Sequence, residues 1–182
     1  VVMSSKKAPW KDFTSMVETI KKAPNKYIVA VTGIGNMTHV PMVELAKHFG
    51  LQFKIIPYRS TAEDKKDLIT GRVHLHADTP VPLSQFDVYG LIQFADKRAE
   101  GLDFPTTTEV GFDKTYSHWQ GFVAPKGLPA DVLSTLSTTL QSVIESPEFA
   151  AEAKKLNTMA YWLNSADVQA LLEREFDLYG KV

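Results

Sequence analysis

A chain of 182 residues, 44% apolar and 23% charged, has room for one domain or two small lobes. That balance excludes a disordered chain, a collagen-like repeat and a disulfide miniprotein, and a net charge of −1 offers no basic surplus to a nucleic-acid backbone. Cysteine is absent, which removes disulfides, thiolate nucleophiles and Cys-ligated metals.

The N-terminus, Val1-Val2-Met3-Ser4-Ser5-Lys6-Lys7, sets its apolar residues ahead of its lysines, the reverse of an export signal. It starts as if in mid-strand, so the expectation is a chain cut from a longer one. Any export signal would then lie outside it. No stretch approaches the ~18–20 uninterrupted apolar residues of a membrane helix. Pro9, then Trp10, Phe13, Met16, Val17 and Ile20 at helical spacing, predicts a first helix closed by Ala23-Pro24-Asn25. Tyr27 to Thr32 is a continuous apolar run, the pattern of a strand buried on both faces. Gly33-Ile34-Gly35-Asn36 forms a turn, and Thr38 to Phe49 forms the next helix, stopped by Gly50.

Phe53 to Tyr58 predicts another buried strand. Thr61 with Asp64 resembles a capping box, opening a helix that ends at Thr70 before Gly71. Val73 to Ala77 and Val88 to Phe94 are strand-like, with a break at Thr79-Pro80-Val81-Pro82 that starts a short helix. Residues 100–117 are loop, and His118 to Ala124 is expected as a strand ending at Pro125. Pro129 introduces a helix with Val132, Leu133, Leu136, Leu140, Val143 and Ile144 on its inner face. A helix from Pro147 to Leu156 follows, then a strand from Met159 to Leu163. Ser165 caps a last helix with Val168, Leu171, Leu172, Phe176 and Tyr179 inside. The alternation of strands and helices predicts an α/β fold with a parallel-rich sheet.

Chemistry concentrates in Thr32-Gly33-Ile34-Gly35-Asn36-Met37-Thr38-His39. This segment follows a strand and opens a helix, so its glycines allow a tight turn and the first helical N–H groups lack internal partners. Such donors, with the helix dipole behind them, suit a carboxylate or phosphate. Asn36 and Thr38 could add side-chain donors. The same glycines also suit plain packing, and the dinucleotide fingerprint is incomplete because position 38 is Thr.

His74, His76 and Asp78 alternate along a strand, either as metal ligands or as the outward polar face of a half-exposed strand. Asp78 stands apart, with Thr79, at a strand's C-terminal end. Arg59 after Tyr58 could fork onto a carboxylate or simply lie on the surface, and Trp119 beside His118 could line a pocket or pack in the core. No hydrolase constellation and no cofactor motif is present.

Several segments taken in order resemble one family. They are Ala30 to His39, Ile56-Pro57-Tyr58-Arg59, Asp67-Leu68-Ile69-Thr70-Gly71-Arg72-Val73, Ala77-Asp78-Thr79, Phe104 to Gly111, Trp119-Gln120-Gly121-Phe122 and Ala124 to Pro129. Together they resemble the Bug-type periplasmic solute receptors of tripartite tricarboxylate transporters. The resemblance implies a type II periplasmic binding protein fold, two α/β lobes with a ligand cleft, the first lobe incomplete here. It implies residues 1–8 as a crossing strand of lobe 1, 9–117 as lobe 2 and 118–182 as the returning part of lobe 1.

The same resemblance implies a receptor without catalytic residues, cofactor or metal. Such a receptor is periplasmic and passes a small carboxylate-containing acid to membrane permease subunits. Its ligand-binding residues would be Gly33, Gly35, Asn36, Met37, Thr38, His39, Asp78 and Thr79, with Arg59 and Trp119 in second rank. Asn36 and Met37 depart from the Ser and small residue usual there, as Ser60 departs from Gly. Two alternatives share the lobe fold: the effector-binding domain of a transcription regulator, and an enzyme using His39 as a base.

Overall fold

The computed structural model describes residues 1–156 and 158–180, and the chain divides into two compact units, Val1–His118 and Trp119–Val182. In the first unit, short apolar runs form five strands: β1 (Val2–Ser5), β2 (Ile28–Val31), β3 (Lys54–Pro57), β4 (Leu75–Ala77) and β5 (Val88–Ile92). They make one sheet in the order β3-β2-β4-β1-β5. β2 runs parallel to β3 and β4, whereas β1 is antiparallel to β4 and β5. The sheet is therefore mixed, and the parallel pairing is confined to the three strands that carry the candidate site.

Four helices cover it: α1 (Phe13–Lys22), α2 (Val40–Phe49), α3 (Thr61–Thr70) and α4 (Val81–Gln85). Alternation along β2 separates two buried clusters. Val29 and Val31 pack with Trp10, Phe13, Met16, Met42 and Leu45, while Ala30 packs with Met3, Leu68 and Val73. Loop residues 99–107 are tied down by buried Gln93, whose Nε2 donates to the Phe104 carbonyl at 2.7 Å and whose Oε1 accepts from the Ala99 amide at 2.9 Å.

Several boundaries differ from the sequence expectation, each for a local reason. α1 begins after Asp12, not at Pro9, because Asp12 and Ser15 form a reciprocal capping box. Trp10 instead fills the core, its indole N–H donating to Ser4 Oγ at 2.7 Å. β3 is no buried strand. It is the sheet's edge, and Ile56 is left exposed. α3 is capped by Ser60, which accepts from the Ala62 amide, in place of the Thr61–Asp64 box.

The second unit holds α5 (Ala130–Ile144), α6 (Pro147–Lys155) and α7 (Ser165–Tyr179). Asn164, not Ser165, caps α7 by accepting from the Ala166 and Asp167 amides. Neither expected strand, His118 to Ala124 or Met159 to Leu163, forms among the described residues. A strand needs a neighbour to accept its backbone groups, and the described part of this unit contains none. The apolar stripes of α5 and α7 consequently stay open: Leu136 is 47% exposed and Phe176 81%.

Candidate functional site

Parallel strands end at a common edge, where α/β proteins hold ligands. The register Val31 to Pro57 and Ala30 to His76 carries Thr32, Tyr58 and Asp78 to that edge. Tyr58 is fixed there as its amide donates to the Val31 carbonyl at 2.8 Å.

The turn from Thr32 to His39 is built around the Asn36 side chain. Its Oδ1 accepts from the Thr38 amide at 3.0 Å, the Thr38 hydroxyl at 2.8 Å and the His39 amide at 3.2 Å. Its Nδ2 donates to Thr32 Oγ1 at 3.0 Å, and Thr38 Oγ1 accepts from the Thr32 amide at 2.9 Å. Asn36 thus organises the turn ahead of α2 through an Asx-type turn, while His39, the N-cap residue itself, makes no side-chain cap. The His39 ring adds a brace, since Nδ1 accepts from the Gly35 amide at 3.2 Å.

This differs from a helix end with all its amides free. The Thr38, His39 and Val40 amides are occupied by Asn36, and the side chains of Asn36 and Thr38 serve each other. Among the described residues, the amides of Gly33, Ile34, Asn36 and Met37 donate to no protein acceptor. The donor set therefore sits in the turn, ahead of the positive end of α2. Gly33 and Gly35 have φ of 148° and 78°, backbone that side-chain-bearing residues avoid.

Across the edge, Asp78 is fully engaged. Its Oδ1 accepts from the Thr79 amide at 2.7 Å, and its Oδ2 lies 3.3 Å from Lys65 Nζ and 3.4 Å from His76 Nε2. Burial opposes its ionisation, yet the hydrogen bonds from His76 and Thr79 and the nearby Lys65 charge outweigh it and hold the carboxyl below the usual carboxylate range. Behind His76 stands Asp64 of α3, wholly buried, with Oδ2 3.9 Å from Nε2 and neither carboxyl oxygen hydrogen-bonded. Burial pushes the Asp64 carboxyl up.

The outward polar face expected of His74 and His76 is not found. His76 is wholly buried with Nδ1 3.2 Å from the Ala30 carbonyl, and His74 Nδ1 accepts from the Ile28 amide at 3.2 Å. Among the described residues no group of three His, Cys, Asp or Glu side chains is arranged to hold a metal.

Arg59 follows Tyr58 at the same edge and is exposed. Trp119 belongs to the second unit, where its indole N–H donates to Glu175 Oε2 at 2.9 Å. Surface hollows lined by Lys66, Ile69 and Phe86, and by Lys11, Gly90 and Phe104, include none of the turn residues. Thr32, Asp64 and Lys65 were not sequence candidates. Asp64 and buried Leu68 are four residues apart, so the acid lies on the helix's inward stripe, which is the signal that could have found it.

Residues 1–182 match the family model of the tripartite tricarboxylate transporter family receptor. The UPF0065 protein in the gbd 5' region of Cupriavidus necator is 28% identical over 162 residues, 87% of this chain and 50% of the relative. A UPF0065 protein of Bordetella pertussis is 28% identical over 82% of this chain and 48% of its own. The chain thus spans about half the length of the curated relatives it matches.

Among solved structures, the periplasmic binding protein BugD is 26% identical with a TM-score of 0.87, covering 99% of this chain and 63% of its own. Two Rhodopseudomonas palustris proteins, one with adipate and MatC with bound malate, share the fold at TM-scores of 0.90 and 0.85. They are 22% and 19% identical, cover 100% and 98% of this chain, and are covered over 62% and 64% of their own length. The fold is that of part of a periplasmic binding protein, and the family match, since the alternatives share the lobe fold, is what favours a receptor over the effector-domain and enzyme alternatives. The chain belongs to the tripartite tricarboxylate transporter receptor family.

Proposed function

We propose that this chain is the carboxylate-capturing part of an exported solute receptor, working in the periplasm and serving the membrane permease subunits of a tripartite tricarboxylate-type transporter. The observation that carries the reading is the run of unpartnered amides at Gly33, Ile34, Asn36 and Met37, held in place by the Asn36–Thr38 network. Preorganised N–H groups at a helix start bind a carboxylate without reorganisation. Neighbours solved with adipate and with malate make a small organic acid the natural ligand class.

In this reading Gly33 and Gly35 shape the turn, Met37 supplies its amide, and Thr38 and His39 brace it. Asp78 and Thr79 face the ligand from the end of β4. Because Lys65 and His76 already offset the Asp78 charge, Asp78 tolerates an acid whose far end offers a hydroxyl or ammonium. Arg59 and Trp119 are second-rank contacts. Residues 9–117 act as one lobe, 1–8 as a strand crossing into it and 118–182 as part of the other lobe.

Isothermal titration calorimetry of the full chain with malate and adipate tests the reading. Saturable heat with at least one of them is expected. A folded chain that binds neither these nor other small mono-, di- or tricarboxylates overturns it.

A further inference from the structure

His76 is buried with nothing but oxygen atoms facing its ring nitrogens. Nδ1 meets the Ala30 carbonyl, which can only accept, so Nδ1 carries a hydrogen. Nε2 meets Oδ2 of Asp78 at 3.4 Å and Oδ2 of Asp64 at 3.9 Å. A bare Nε2 lone pair against two carboxylates would be repulsive on every side. Either Nε2 also carries a hydrogen, or one of the carboxyls does. Asp64 sharpens the point, since its two oxygens are buried without any hydrogen bond and an ionised group there would be costly.

Asp78, by contrast, is held by the Thr79 amide and Lys65. One further charged group packs here, the buried Val1 ammonium, whose pKa burial lowers to about 6 and the Asp78 charge raises in part. β1 presents Met3, opposite His76, β2 presents Ala30, and the Val1 nitrogen donates to the Asp78 carbonyl. Tyr58 spends its hydroxyl on Asp67 at 2.7 Å.

We propose that a proton on His76 Nε2, hydrogen-bonded to Asp78 at 3.4 Å and favoured by the Asp64 carboxyl at 3.9 Å, makes His76 and Asp64 positioning residues for the Asp78–Thr79 corner of the carboxylate site, an inference that rests on the receptor reading above. With the proton in place, Asp78 is anchored from behind and its Oδ1 fixes the Thr79 amide. Without it, Asp78 is pushed from His76 and the corner loosens.

Nuclear magnetic resonance of the full chain with nitrogen-15 histidine, without ligand, tests this. The His76 ring nitrogens and the Thr79 amide proton are followed from about pH 5 to about pH 8 and on to alkaline pH. The two should change together with a single midpoint. Asp64→Asn, which keeps the shape and removes a charge, should move that midpoint to lower pH by about one unit or more. Lys65→Gln, on a partly exposed side chain, should move it the other way. An Nε2 without a proton throughout, or a Thr79 amide that ignores the ring, overturns the proposal, as does a midpoint unmoved in both variants. Loss of malate binding with the proton signature intact upholds the His76 proton and counts against the receptor reading instead.

Discussion

Asn36 Oδ1 accepts the Thr38 hydroxyl at 2.8 Å while also taking the Thr38 and His39 amides, so a single side-chain oxygen organises the whole approach to α2. Replacing Asn36 by Ala removes the acceptor of these turn hydrogen bonds and should cost roughly 1–3 kcal/mol of stability. Asn36→Asp keeps the acceptor but adds a negative charge among the free amides. Its urea midpoint should stay near wild type while its malate affinity falls at least tenfold. Equal losses in both variants would mean that Asn36 matters only to the fold.

Gly35 and Gly50 separate backbone strain from binding. Both have left-handed φ, 78° and 65°, and neither would meet a neighbour if it gained a Cβ. Gly35→Ala and Gly50→Ala should each lower stability by roughly 1–2 kcal/mol. Gly50 closes α2 far from the turn, so only Gly35→Ala should weaken malate binding in calorimetry.

Much of the first unit was legible in the sequence because its strands and helices are bounded by local signals. Gly50 and Gly71 end α2 and α3 where expected, and the turn between β2 and α2 was recognisable from its glycines. What was not legible depends on contacts distant in sequence. Asp64 reads as a cap until β4 places His76 against it, and Phe53 to Tyr58 reads as buried until β3 falls at the sheet's edge. The segments His118 to Ala124 and Met159 to Leu163 have strand composition, yet a strand is defined by its partner and the described residues of their unit supply none.

Gln93 anchors loop residues 99–107 through the Phe104 carbonyl and the Ala99 amide, and Gln93→Leu leaves both unpaired. The expected cost is roughly 1–3 kcal/mol. Gly90→Ala attacks the same loop differently, since its Cβ would fall 2.2 Å from Phe104 Cε1. Hydrogen exchange should show faster exchange at Ala99 and Thr107 in both variants, with the turn at 33–39 unchanged.

Stability should respond to pH through Asp78 and Asp64 in opposite senses. The Asp78 carboxyl is held low by His76, Thr79 and Lys65 against the opposing effect of burial. Its contribution is therefore present above the unfolded value near pH ~3.9 and is lost as pH falls through the folded one. The Asp64 carboxyl is pushed up by burial, so its contribution is present below pH ~3.9 and is lost as pH rises through the folded value. Thermal melts should therefore show Asp64→Asn gaining on wild type as pH rises from about 4 towards neutrality, and Asp78→Asn less stable than wild type above about pH 4 but recovering relative to it as pH falls below that. Parallel curves for wild type and both variants would contradict these assignments.

The turn's role as the anion site is tested most directly by an amide nitrogen–proton correlation spectrum of the full chain titrated with malate. Gly33, Ile34, Asn36 and Met37 carry the amides without a protein acceptor, so their resonances should shift saturably and the farthest downfield, with Thr79 following. Saturable shifts elsewhere in the chain, with these four amides unmoved, would contradict it.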